Sequence, residues 1–180
     1  KTAYEITYGD WSSDVCSSDL LFDCPCGVGR FVNTAVDMKL RYLGADVGLP
    51  MVKEARKVSA QAIGFANADA EKMPLRDGSV DAVMIWRLLH HISSEAQRKQ
   101  MLREAARVTR GLVLVSFHNP LSATFVGRIP KRIVKGDWKI GDITHWRLAR
   151  EARECGLEVV EFKSFKKYVS INWFACLRKR

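Results

Sequence analysis

The residues best suited to chemistry stand together near the start of the chain, in Asp23-Cys24-Pro25-Cys26-Gly27-Val28-Gly29. Two glycines, two residues apart, let a chain turn sharply and let a ligand approach peptide N–H groups with no side chain between. Alone, such a turn is a weak signal. An acid precedes it at Asp23, and acids recur at Asp46 and Asp69. A carboxylate about 20 residues beyond a glycine turn is suited to accept hydrogen bonds from ribose hydroxyls.

Each acid closes or follows a short apolar run, which shows what must position it. Leu20 to Cys24 reads as a buried strand, and Phe31, Thr34, Ala35 and Met38 lie on one face of a following helix. Arg41 to Asp46 reads as a second strand and Pro50 to Ala60 as a helix with proline in its first turn. Ala62 to Asn67 is a third strand, Lys72 to Ser79 a turn-rich loop and Val80 to Trp86 a fourth strand. Ser93 or Ser94 caps a helix running to about Val108. Gly111 to Phe117 is a β-branched fifth strand, and Asp142 to Cys155 a helix stopped by Gly156. Leu157 to Phe165 and Tyr168 to Leu177 close the chain as strands. This alternation predicts an α/β fold with a parallel sheet covered on both faces. The last two strands have no helix between them, so one must run antiparallel. Ligands of such sheets bind beyond the carboxyl ends of the strands, where the three acids fall.

The run from Asp23 to Gly29, Asp46, and the stretch from Ala68 through Asp69, Ala70, Met73, Pro74 and Gly78 to Val83 together resemble the class I S-adenosylmethionine-dependent methyltransferases, in particular the branch related to quinone-biosynthesis methyltransferases. The resemblance covers nearly all of residues 21–180. It implies a Rossmann-like sheet of seven mostly parallel strands, helices on both faces, and an antiparallel last strand. It implies S-adenosyl-L-methionine as cofactor, flanked by Gly27 and Gly29, with Cys24 and Pro25 also in contact and Asp23 near its methionine part. Asp46 with Val47 would bind the ribose, Asp69 with Ala70 would meet the adenine, and Arg87 would border cofactor and acceptor. The family has glycine where this chain has Pro25. Proline lacks an N–H, so one backbone donor is lost, but Gly27 and Gly29 remain to form the turn.

Methyl transfer from a sulfonium depends chiefly on holding acceptor and methyl in line. An oxygen or carbon acceptor also benefits from a base. His90, His91, His118 and His145 are the candidates. His91 follows the fourth strand and is preferred as the catalytic base; His118, after the fifth, comes second. No metal is expected, because Cys24 and Cys26 are too close for the usual zinc spacing and no histidine stands at a matching offset. A nicotinamide dehydrogenase is disfavoured, because Gly27-Val28-Gly29-Arg30-Phe31-Val32 lacks the third small residue of its fingerprint.

The expected acceptor is a small molecule or lipid-like compound. A basic stretch at about 119–141 sits where the family places acceptor-recognition insertions. In it, Phe125, Ile129 and Ile133 share a helical face ringed by Arg128, Lys131, Arg132 and Lys135. That pattern suits an amphiphile or a peripheral membrane contact. The formal charge of +9 also admits nucleic acid. A nucleic-acid acceptor is nonetheless disfavoured, because no basic and aromatic stacking platform is visible. A third alternative is a binding module that keeps the fold without catalysis, with Pro25 as its sign. The longest apolar run, Gly111 to Phe117, is far too short to span a bilayer. Free thiols fit a reducing, cytoplasmic setting.

The first twenty residues read differently. Asp10 to Leu20, DWSSDVCSSDL, has no apolar period and resembles the translation of a short-read sequencing adapter. Lys1 to Ile6 resembles the upstream primer portion of that adapter, in frame and in order. Residues 1–20 are therefore expected to be an artefact, and residues 21–180 a single domain without its natural N-terminus. The stretch carries Lys1 against Glu5, Asp10, Asp14 and Asp19, so the remainder has a net charge of +12.

Overall fold

The computed structural model describes residues 19–58, 61–121, 143–164 and 170–180. The adapter-like residues 1–18 lie outside that set, as does the basic stretch beyond Leu121 up to residue 142. The elements are β1 (Leu20–Asp23), α1 (Val32–Asp37), β2 (Arg41–Asp46), α2 (Leu49–Val58), β3 (Gly64–Asn67), β4 (Val80–Ile85), a 3₁₀ turn (Leu89–His91), α3 (Glu95–Val108), β5 (Thr109–His118), α4 (His145–Glu154), β6 (Leu157–Ser164) and β7 (Asn172–Lys179).

The strands form one seven-stranded sheet in the order β3-β2-β1-β4-β5-β7-β6. β1 through β5 pair in parallel, and β7 runs antiparallel between β5 and β6. The order reverses between β1 and β4, so the crevice of such a sheet opens beyond Asp23 and Ile85. β5 begins at Thr109 rather than Gly111, directly after α3.

Alternation along the strands divides the core. In β4, Ala82 and Met84 face a layer containing Val32 and Ala35 of α1. Val83 and Ile85 face the opposite layer, built with Met101, Leu102 and Ala105 of α3 and with Leu148 and Ala152 of α4. A strand with apolar residues on both faces must be central, which is where the topology puts β4. No helix among the described residues is long and apolar enough to cross a membrane.

One buried ion pair ties α3 to α4. Arg98 is 2% exposed and Glu151 fully buried. The guanidinium meets the carboxylate in two bonds, of 2.6 Å and 3.0 Å. Its remaining nitrogen donates to the carbonyls of Ile92 and Ser93, both at 2.9 Å. These carbonyls follow His91 directly, so the pair also anchors the histidine-bearing turn. Glu151→Leu leaves a buried guanidinium without its counter-charge and is expected to cost about 3–5 kcal/mol. Urea denaturation checks this: the Arg98→Met/Glu151→Leu double variant should recover most of the loss, and a single variant as stable as wild type would contradict it.

Candidate functional site

The glycine turn is stitched without help from Pro25. Cys24 N–H donates to the Met84 carbonyl at 2.9 Å, Cys26 N–H to Ala45 at 2.7 Å, and Gly29 N–H to Cys26 at 3.0 Å. Gly27 and Gly29 have φ of +54° and +75°, values that side chains resist. A Cβ at Gly27 would meet nothing within 4 Å, so the backbone there faces open space.

Asp46 holds this turn to β2. Its carboxylate accepts the Gly27 N–H at 2.9 Å and, through the other oxygen, the Gly48 N–H at 2.8 Å. Asn67 of β3 donates to the Asp46 and Val47 carbonyls at 2.8 and 2.9 Å. A carboxylate has about four lone-pair directions, so each oxygen retains capacity for one more donor. Asp46 lines a cleft of about 270 Å³ with Pro25, Gly27, Met51, Trp86 and His91. Cys26, Val28, Arg30, Phe31 and Arg87 complete its walls.

Asp23 lies beneath that cleft, fully buried. Tyr42 donates its hydroxyl to one carboxylate oxygen, while the other, Oδ1, has no hydrogen-bond partner. Burial, above all, pushes this carboxyl up to about 8; the Tyr42 bond opposes the rise and nearby Asp46 adds to it. Burial likewise raises the Cys24 thiol, and it lifts Cys26 to about 12. Neither is a thiolate nucleophile at neutral pH.

A second cavity, of about 300 Å³, adjoins the first. Trp86 and Arg87 line both. Trp86 stacks on Phe174 with ring centroids 4.8 Å apart and planes 8° from parallel, and it meets Phe31 edge-on at 4.9 Å. Arg87 has φ of +56°, a left-handed conformation that costs a non-glycine residue roughly 1–3 kcal/mol. Its N–H is held by the buried Ser116 hydroxyl at 2.6 Å. His90 stacks on His118 at 3.8 Å and contacts His91 at 4.1 Å. Ser116, Phe117, Asn172 and Phe174 line the same cavity with His90 and His118.

The structure thus gathers Pro25, Gly27, Asp46, Arg87 and His91 around one cleft, with Asp23 and Cys24 buried below it. Gly29 is buried in the turn. His118 lines the neighbouring cavity rather than the cleft. The Val47 side chain is 70% exposed. Asp69 is exposed in the turn after β3, where its carboxylate accepts the Glu71 N–H, and Ala70 is buried. Neither is among the residues lining the cleft. Trp86, Phe31 and Met51 were not anticipated as walls. The aromatic residue at the end of β4 was the one available sign.

A family model described as a methyltransferase domain matches residues 22–115, from within β1 to within β5. The chain belongs to the methyltransferase domain family. It is a class I S-adenosylmethionine-dependent methyltransferase domain. A tRNA (carboxymethyluridine(34)-5-O)-methyltransferase of Arabidopsis thaliana is 28% identical over 102 residues, which is 56% of this chain and 24% of that protein. The Bos taurus protein named Probable tRNA methyltransferase 9B is 30% identical over 89 residues, 49% of this chain and 18% of its own length. The chain therefore spans a quarter or less of these two relatives. The magnesium protoporphyrin IX methyltransferase of Synechocystis PCC 6803, solved with bound S-adenosylhomocysteine, shares the fold with a TM-score of 0.78 at 14% identity, over 98% of this chain and 82% of that one.

Asp23 makes stability depend on pH. The folded domain keeps its proton up to about pH 8, whereas an unfolded aspartate releases it near pH 4. Between those values the unfolded state binds fewer protons, so stability is full below about pH 4 and falls as pH rises towards 8. Asp23→Asn should flatten this slope. Urea midpoints of wild type and variant at pH 5, 6.5 and 8 check it.

Proposed function

We propose that S-adenosylmethionine occupies the cleft between the glycine turn and Asp46, and that the acceptor enters the cavity beyond Trp86 and Arg87. The observation that carries this reading is the Asp46 carboxylate, which is held by two backbone N–H groups and keeps acceptor capacity on the cleft wall. A ribose diol would supply the missing donors. The cofactor's methionine end would lie above the buried Asp23, and open space at Gly27 leaves room for close approach to the backbone. The residues present therefore fit the cofactor. Bound there, it supplies a methyl group activated on a sulfonium. The chain's own residues orient the acceptor and receive its proton. Trp86 forms a flat wall, and Arg87 stands where the two spaces meet. His118 and its stacked neighbour His90 are within the cavity to act as base, while His91 borders the cofactor cleft. The histidine roles are thus split between neighbouring spaces.

The first reading of the acceptor remains a small molecule, because 300 Å³ suits one ring with short substituents. The second reading is RNA. The tRNA methyltransferases among the relatives and the charge of +9 favour it, and a single base turned out of its strand would match the same cavity. Salt-dependent binding of tRNA separates the two.

Calorimetry with S-adenosylhomocysteine tests the cofactor site. Micromolar affinity is expected, weakened at least tenfold in Asp46→Ala. Absence of heat at millimolar ligand, with the protein folded, would refute the cleft assignment.

A further inference from the structure

The two adjoining spaces differ in their acidic groups. The cofactor cleft has the Asp46 carboxylate in its wall, beside Arg30 and Arg87. The acceptor cavity has Arg87 with His90 and His118, and no Asp or Glu among its described lining residues. Its other walls are flat rings, Trp86 stacked on Phe174, together with Phe117 and the neutral hydrogen-bonding groups of Ser116 and Asn172. We infer that the cavity selects a planar ring bearing an anionic oxygen, with Arg87 as the specificity-determining residue. This rests on the proposed placement of cofactor and acceptor and names the chemistry of the latter.

Three features support Arg87 in that role. It lines both spaces, so it stands where the cavity and the cleft meet. Its backbone is kept left-handed by the Ser116 bond, a conformation that an arginine does not adopt unless the surroundings impose it. A guanidinium pairs with carboxylate or phosphate oxygens in a fixed fork, which gives direction as well as attraction. The aromatic lining of the cavity complements a ring. A cationic acceptor would meet Arg87 and the cofactor's sulfonium as like charges, whereas an anionic one is drawn to both.

The shared chemistry has two sources, a free aromatic acid or a nucleotide. The test titrates 4-hydroxybenzoate against neutral 4-hydroxybenzamide, and uridine 5′-monophosphate against uridine, by ligand-observed NMR, with and without S-adenosylhomocysteine. In wild type the anionic member of at least one pair should bind at least tenfold more tightly than its neutral partner. The pair that shows the difference identifies the source. Arg87→Gln should reduce the ratio to within twofold, and Arg87→Lys should retain part of it. Equal affinity within both pairs in wild type would overturn the inference without recourse to any variant. A ratio unchanged in a folded Arg87→Gln would overturn the assignment to Arg87. The titrations without S-adenosylhomocysteine stand independently of it, and its own failure to bind would count against the cofactor placement instead.

Discussion

The Asp46 carboxylate is the interaction on which the site depends. It lies at the carboxyl end of β2, is 8% exposed, and accepts one N–H from the glycine turn and one from Gly48 ahead of α2. Charge-assisted bonds of this kind are roughly twice as strong as neutral ones. They join the loops after β1 and β2, beside the β1–β4 boundary where strand order reverses. Pro25 is tolerated for this reason. The donors that shape the turn belong to Cys24, Cys26, Gly27 and Gly29, and none is lost when residue 25 is proline.

The end of β4 supplies the second constraint. Trp86 packs against Phe31 and Phe174, and Arg87 is strained and held by Ser116. Together they border two spaces of similar size. Behind them the histidine turn is anchored by Arg98, itself neutralised by Glu151. A chain of contacts thus runs from the buried pair in the helical layer to the rings that line the second cavity. Rigid walls of this kind hold reactants at near-contact distance, where methyl transfer gains most of its rate.

Much of this was legible in the sequence, for local reasons. Short apolar runs ending in Asp23 and Asp46 marked strand ends, and the glycines at 27 and 29 marked the turn between β1 and α1. The missing helix before β7 marked its reversal. The second cavity was not legible, because it is assembled by long-range register. Insertion of β7 between β5 and β6 sets Phe174 opposite Ser116 and Asn172 opposite His118. That pairing brings residues 172 and 174 to the histidine turn. No spacing in the chain announces it. The Arg98–Glu151 pair was hidden likewise, since 53 residues separate its members and each looks like an ordinary helix-surface charge.

The central claim is that Asp46 serves both the turn and the ribose. The most direct measurement compares affinities of S-adenosylhomocysteine and its 2′,3′-dideoxy analogue for wild type and for Asp46→Asn. If the carboxylate binds the diol, the hydroxyls should be worth at least tenfold in wild type and little in the variant. An equal penalty in both proteins, or no penalty in wild type, would contradict it.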